Sequence, residues 1–334
     1  MKKQIDAKLR ARVKELTRFI SHASLISWFK EIDVNITGTS TEQFVNNASS
    51  AIEEGEITFE QLERAIAEIE ENGGKKIFLQ KIVNFKDIDI KKLIAFWKTK
   101  NITPSKDNYV RVKSGVNPKF NYLYLENNII KIKYSETQFQ LEPNVDTKEF
   151  EEKELIVNIV CIVDCNDGFT QIRFDSPGNV HKHKNDEGKS TEHEYESYYI
   201  NLFHNLFPEL NFQDFSLNDT ANYIARNEKE KFRLNKEVTS ITDGAKQIYT
   251  SRTSKKDIRD LIEQQGAEKA ADLKVWLSED LTGYWLADSS EDQLSRDLFM
   301  RISIRHSQIR VQRDCLEKEL NYGLDQLREI QKEI

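Results

Sequence analysis

ELIVNIVCIVDCNDGFTQIRF, residues 154–174, is a β-branched apolar run followed by turn residues and a second, shorter apolar run. Residues 155–163 suit a pleated, buried strand. Asn166-Asp167-Gly168 supplies turn chemistry, and Phe169, Ile172 and Phe174 continue on a return strand. A hairpin of this kind needs neighbours, because two strands alone are marginal in water. They are at hand upstream. FNYLYLENNIIKIKY, residues 120–134, reads as two more strands around the Asn127-Asn128 turn, and YVRVKSG, residues 109–115, alternates at period two. An antiparallel sheet of four or more strands follows.

Downstream, YESYYINLFHNLF (195–207) sets Tyr195, Tyr198, Tyr199, Leu202, Phe203 and Leu206 on one broad stripe that Pro208 stops. This helix is expected to cover one face of the sheet. Between hairpin and helix lies HKHKNDEGKSTEHE, 181–194, with half of the six histidines. His181, His183 and His193 are metal-ligand candidates, since two histidines at a two-residue spacing can project together from a strand. Lys182, Lys184 and Lys189 lie between them, however, and no fixed metal-binding spacing is matched. An exposed connection is the expected role, with no cofactor required.

The N-terminal segment is helical by pattern. Ile5, Leu9, Val13, Leu16 and Ile20 recur at helical spacing; Ser40 with Gln43 and Thr58 with Gln61 have capping-box spacing; Asn72-Gly73-Gly74 gives a stop. EEGEITFEQL, 53–62, has the turn of a calcium loop but not its ligands, because Ile52 occupies one required position and Gln61 replaces the closing carboxylate. Beyond 216, FRLNKEVTSI suggests one late strand. The remainder reads as helix, including a stretch from about 291 to 334 in which Leu298, Ile302, Ile309, Leu316, Leu320, Leu324 and Leu327 recur. One helix of that length would reach about 60 Å, and would have to break or find a partner.

The expectation is therefore an α+β protein: a helical N-terminal domain (1–100), an antiparallel sheet domain with its covering helix (101–215), and a mainly helical C-terminal region (216–334) ending in a long amphipathic helix. Three cysteines fit a reducing compartment, and no apolar stretch is long enough to span a membrane, so a cytoplasmic protein is expected. A bacterial source and a role in genome maintenance or antiviral defence are background expectations that no residue carries.

Net charge is −7, but it is unevenly spread. Residues 75–134 hold fourteen basic against four acidic side chains, a surplus of ten, leaving about −17 elsewhere. Aromatic residues interleave the lysines, a pattern that suits phosphate contact and base stacking. The candidate nucleic-acid-binding residues are Lys98, Lys100, Lys106, Tyr109, Arg111, Lys113, Lys119, Tyr122, Tyr124, Lys131 and Lys133, assisted by Arg301, Arg305 and Arg310 on the expected C-terminal helix. Neither a Gly-x-Ser-x-Gly elbow nor a phosphate-binding glycine loop occurs. The leading expectation is thus a non-enzymatic protein that binds DNA or RNA. The alternatives are an assembly subunit that meets a protein partner or its own copies through its terminal helices, and a metal-dependent hydrolase or nuclease using Glu154, Asp164, Asp167 and Asp175 near the histidine loop.

Overall fold

The computed structural model describes residues 6–18, 20–106, 114–143, 150–175, 192–240, 246–251, 253, 255–264, 277–304, 306–311 and 314–334. The chain is α+β, and the pairings between its strands described below are antiparallel. It clusters into two compact units, one made of Met1–Gly74 with Ser216–Ile334 and the other of Lys75–Phe215.

The first unit opens with α1 (Ala7–Leu16), α2 (His22–Glu31), α3 (Thr41–Glu54) and α4 (Phe59–Asn72). The expected caps form. Ser40 accepts from the Gln43 amide, and Thr58 and Gln61 satisfy each other's backbone donors at 3.1 and 2.7 Å. Gly55, at φ +76°, ends α3. Val13, Leu25, Phe29, Phe44, Val45, Leu62, Ala65 and Ile69 build the core between these helices, with Leu316 from the far end of the chain among them. Gln61, which stands where a calcium loop has its closing carboxylate, is committed to the cap of α4.

The second unit begins at once after Gly74. Residues 75–82, expected to belong to a helical domain, form β1 (Lys75–Ile82). The reason is local: Gly73-Gly74 stops α4, and β1 buries Ile77, Leu79 and Ile82 when it pairs with a later strand. Then come α5 (Ile90–Thr99), β2 (Lys119–Glu126), β3 (Ile129–Pro143), β4 (Phe150–Asp164), β5 (Phe169–Asp175), α6 (Glu192–His204) and the short β6 (Phe212–Asp214). Their order in the sheet is β2-β3-β4-β5-β1, with β6 pairing the end of β1. Both expected turns are present. Asn127 and Asn128 take φ +49° and +62°, and at the second turn Asp164 accepts from the amides of Asn166 and Asp167 before Gly168 at φ +65°.

One sheet face carries Ile130, Ile132, Tyr134, Val157, Ile159, Cys161, Val163, Ile172 and Phe174. Helices α5 and α6 cover it through Leu93, Trp97, Tyr199 and Phe203, and the Trp97 indole donates to the Leu206 carbonyl at 2.8 Å. The stripe on α6 centres on Tyr199 and Phe203; Tyr198 faces outward.

Returning to the first unit, the chain forms α7 (Asn218–Asn227), β7 (Phe232–Ser240), β8 (Lys246–Thr250), α8 (Ile258–Glu263), β9 (Leu277–Trp285), β10 (Leu298–Ser303), β11 (Gln308–Val311) and α9 (Glu317–Glu333), with the strands ordered β11-β10-β9-β7-β8. The expectation of a mainly helical region with one long terminal helix is corrected. Leu298 and Ile302 are four apart, a spacing that serves a strand as well as a helix. Leu298, Met300 and Ile302 all point inward, and Ser307 at φ +46° lies in the bend between β10 and β11. Only 17 residues remain for α9, about 25 Å. Its stripe of Leu320, Leu324, Leu327 and Ile330 is buried. The terminal helix therefore has no unpartnered apolar face.

Gly283 allows β9 to approach β7. A Cβ there would lie 2.4 Å from both the Arg233 carbonyl oxygen and a Phe232 ring carbon. Since backbone cannot yield as a side chain can, Gly283→Ala is expected to cost about 3 kcal/mol. A denaturant midpoint equal to that of the wild type would overturn this reading of the β7–β9 contact.

Two histidines are expected to contribute to the acid limb of stability. His204 donates to or accepts from Gln80 at 2.8 Å and stacks on Phe212 at 4.2 Å; His22 stacks on Phe44 at 5.1 Å. Burial lowers the pKa of His204, with Asp214 pulling the other way, and burial lowers that of His22. Each ring thus stays neutral in the folded chain where the unfolded chain already binds a proton. Their contribution is full above the unfolded value of about 6.5 and is lost as pH falls below it. Thermal melts are expected to show Tm dropping as pH falls below that value, with a shallower drop in His22→Gln/His204→Gln. Parallel curves for the two proteins would refute the assignment.

Candidate nucleic-acid interface

The second face of the Lys75–Phe215 sheet is where the sequence candidates meet. Strand register places Tyr122 beside Lys133, Lys133 beside Val160, Val160 beside Arg173 and Arg173 beside Ile77, one lateral row across five strands. The next row runs Tyr124, Lys131, Ile162, Gln171, Leu79. With strands about 4.8 Å apart, Lys131, Lys133 and Arg173 lie within two or three strand widths of one another. The structure thus brings Lys119, Tyr122, Tyr124, Lys131 and Lys133 to one face and adds Arg173, which was not among the sequence candidates.

This face is not an open groove. Lys131, Lys133, Arg173 and Tyr122 are all buried, so their charges and ring cannot meet a nucleic acid without other groups moving. Polar partners hold several of them. Gln171 Oε1 accepts two Arg173 guanidinium hydrogens, at 3.1 and 2.6 Å, and Tyr124 donates to Glu126 at 2.7 Å. Further along, Asn121 donates to Ser135 and Ser135 to Asn158, at 3.0 and 2.9 Å. Lys75 pairs with Asp175, and Lys76 with Glu196.

On this face Lys119 is exposed, and further exposed positive charge lies in the same unit on α5. Its apolar residues Leu93 and Trp97 turn inward, and Asp89 caps its first turn by accepting from the Lys91 and Lys92 amides. The opposite surface presents Lys91, Lys92 and Lys98, followed by Lys100 past the end of the helix and Lys106 beyond it, all exposed. None of these five forms an ion pair among the described residues; Lys100 lies 5.7 Å from the Phe96 ring. The neighbouring segment reaches the sheet edge, where the Ser105 amide donates to Leu123. Lys91 and Lys92 entered the charge count but not the candidate set. The signal that singles them out is the helical period of IKKLIAFWK, which puts them opposite Leu93 and Trp97.

The remaining candidates fall apart from this group. Tyr109, Arg111, Lys113 and Arg305 lie outside the described residues. Arg301 and Arg310 are not on a helix: they face each other across β10 and β11, in the other unit, and Arg301 pairs with Asp280 at 2.9 Å. His181 and His183 lie outside the described residues, and His193 falls in the first turn of α6, its side chain likewise undescribed.

The hairpin carboxylates do not converge. Asp164 serves its turn, Asp175 sits at the other end of β5 against Lys75 and the Asn158 amide, and Glu154 lies further along β4. Among the described residues no group of three His, Cys, Asp or Glu side chains is placed to hold a metal ion. Burial pushes the Cys161 thiol far up, and burial together with Asp164 holds that of Cys165 at about 12, so neither supplies a thiolate. Tyr199 donates to Glu136 at 2.6 Å, and burial raises the pKa of Tyr199 and Tyr195 strongly, which fixes both as protonated hydroxyls rather than as bases. Among the described residues no helix is long and apolar enough to cross a membrane.

No protein-family model matches the chain, and no curated protein matches it either.

Proposed function

We propose that the chain is a non-enzymatic nucleic-acid-binding protein whose first contact is the exposed lysine surface of α5, continued by Lys100, Lys106 and Lys119. The observation that carries this reading is the absence of carboxylate partners for Lys91, Lys92 and Lys98 among the described residues, on a helix whose other side is fully used in packing. An acidic residue at i+3 or i+4 would pair with such a lysine on the helix surface; here those places hold Ile94, Ala95, Phe96, Asn101 and Ile102. A row of compact ammonium groups suits phosphate oxygens, with positioning along the backbone and little reading of sequence. Tyr124, half-buried at the sheet edge, is the nearest candidate for stacking.

The test is fluorescence anisotropy with labelled single- and double-stranded DNA and RNA over a salt series. Binding is expected to weaken linearly in log salt with a slope of about −2 to −3 for three phosphates. Undetectable or salt-insensitive binding to every form would refute the proposal.

A further inference from the structure

In the β11-β10-β9-β7-β8 sheet one face is apolar. Leu281, Ile302 and Ile309 stand side by side on it, and all three are fully buried. The reverse face carries two polar rows over the same strands. Strand register sets Lys236, Thr282, Arg301 and Arg310 in one lateral row across β7, β9, β10 and β11, and Val238, Asp280, Ser303 and Gln308 in the next. Strands lie about 4.8 Å apart, and residues two apart along a strand about 6.8 Å, so Ser303 sits between Asp280 and Gln308 with Arg301 one row away.

The row of Asp280, Ser303 and Gln308 is short of protons. Asp280 Oδ1, Ser303 Oγ and Gln308 Oε1 are buried without a hydrogen-bond partner, and Ser303 and Gln308 as residues are only 2% and 6% exposed. Buried polar atoms are nearly always paired. Carboxylate and carboxamide oxygens only accept, so the Ser303 hydroxyl holds the sole proton among these three atoms, and it is given to neither neighbour. The missing donors have to come from outside.

The other row has charge to spare. Arg301 donates to Asp280 Oδ2 at 2.9 Å, while the side chains of Lys236 and Arg310 form no ion pair or hydrogen bond among the described residues. Two guanidinium forks on directly paired residues, with an ammonium from β7, suit the oxygens of one phosphate group. Three cations less the Asp280 carboxylate leave a formal +2, which complements a phosphomonoester. The charges do not continue as a track. Beyond this row β9 and β10 carry Tyr284 and Phe299, in ring contact at 4.9 Å, so the row serves a single phosphate and not a succession of them.

We propose that this face binds a phosphorylated sugar, free or as a mononucleotide. The phosphate lies between Lys236, Arg301 and Arg310, and sugar hydroxyls donate to Asp280 Oδ1, Ser303 Oγ and Gln308 Oε1 in the next row. Phosphate alone leaves those oxygens without donors, and a metal ion is repelled by the three cations beside them. The site belongs to the unit of Met1–Gly74 with Ser216–Ile334 and does not rest on the reading given for α5.

Titration calorimetry of the full chain at low salt is expected to show ribose 5-phosphate binding roughly tenfold more tightly than inorganic phosphate, since only the sugar satisfies the buried oxygens. Tighter binding of adenosine monophosphate than of ribose 5-phosphate would assign the site to a nucleotide, and weaker binding to a free sugar phosphate. Arg310→Gln is expected to weaken both anions roughly tenfold. Ser303→Ala/Gln308→Met is expected to keep the affinity for phosphate and to bring ribose 5-phosphate down to it. Neither variant removes a side-chain hydrogen bond, so both are expected to melt with the wild type. Equal binding of phosphate and ribose 5-phosphate by the wild type would mean an adventitious ion only. That result, no binding of ribose 5-phosphate, or an unchanged preference in Ser303→Ala/Gln308→Met would each overturn the proposal.

Discussion

Lys91→Glu/Lys92→Glu/Lys98→Glu is expected to lose nucleic-acid affinity by between two and three orders of magnitude at 0.1 M salt, with no loss of fold. The size follows from counterion release: removing three phosphate contacts, each contributing about 0.9 to the salt slope, removes roughly 2.7 decades at that ionic strength. The fold should persist because all three side chains are exposed and α5 is held by Leu93 and Trp97 on its other side. Glutamate at 91 and 92 even suits the first turn, where negative charge meets the positive end of the helix dipole. Only position 98, in the last turn, is disfavoured, by a few tenths of a kcal/mol. Anisotropy titrations beside a far-UV melt check both halves. Loss of less than about threefold in affinity would move the contact away from α5, toward Lys119 or a rearranged sheet face.

The sequence made some of this legible and hid the rest for definite reasons. The 154–174 hairpin is readable because β-branched residues and an Asn-Asp-Gly turn agree with each other and with burial. The same agreement makes the Asn127-Asn128 turn and the caps of α3 and α4 readable. Residues 298–311 were misread because leucine and isoleucine at 298, 302 and 309 fit a helical period, while the bend that contradicts it rests on Ser307, a residue with little turn preference. β9 was missed since SEDLTGYW carries Gly283 and two acids; it is a strand because β7 and β10 flank it, which is tertiary context. The basic segment was visible as a sum of charges. Which lysines are buried was not, because Lys131 and Lys133 alternate with Ile130 and Ile132 as the outward residues of a surface strand would. Their burial depends on what lies over the second face.

Asp175→Ala is expected to be among the most damaging single substitutions in the Lys75–Phe215 unit, at about 3–5 kcal/mol. Lys75 is fully buried and Asp175 is its carboxylate partner across the β1–β5 pair, where the two residues are in direct register. The other Asp175 oxygen accepts from the Asn158 amide at 2.6 Å, so the alanine leaves two donors without an acceptor, one of them a cation. Asp175→Asn separates the terms: it retains an acceptor for the amide and gives up only the charge. If the cost lies in stranding Lys75, then Lys75→Met/Asp175→Asn should recover most of the stability, because a buried ion pair replaced by a well-packed apolar group is close to neutral, whereas breaking one partner is not. The coupling read from the four proteins of the cycle is expected to exceed about 2 kcal/mol. Additive effects would mean that Lys75 finds another partner when Asp175 is gone, and that the pair does not tie β1 to β5 at the point where the chain leaves the N-terminal helices for the sheet.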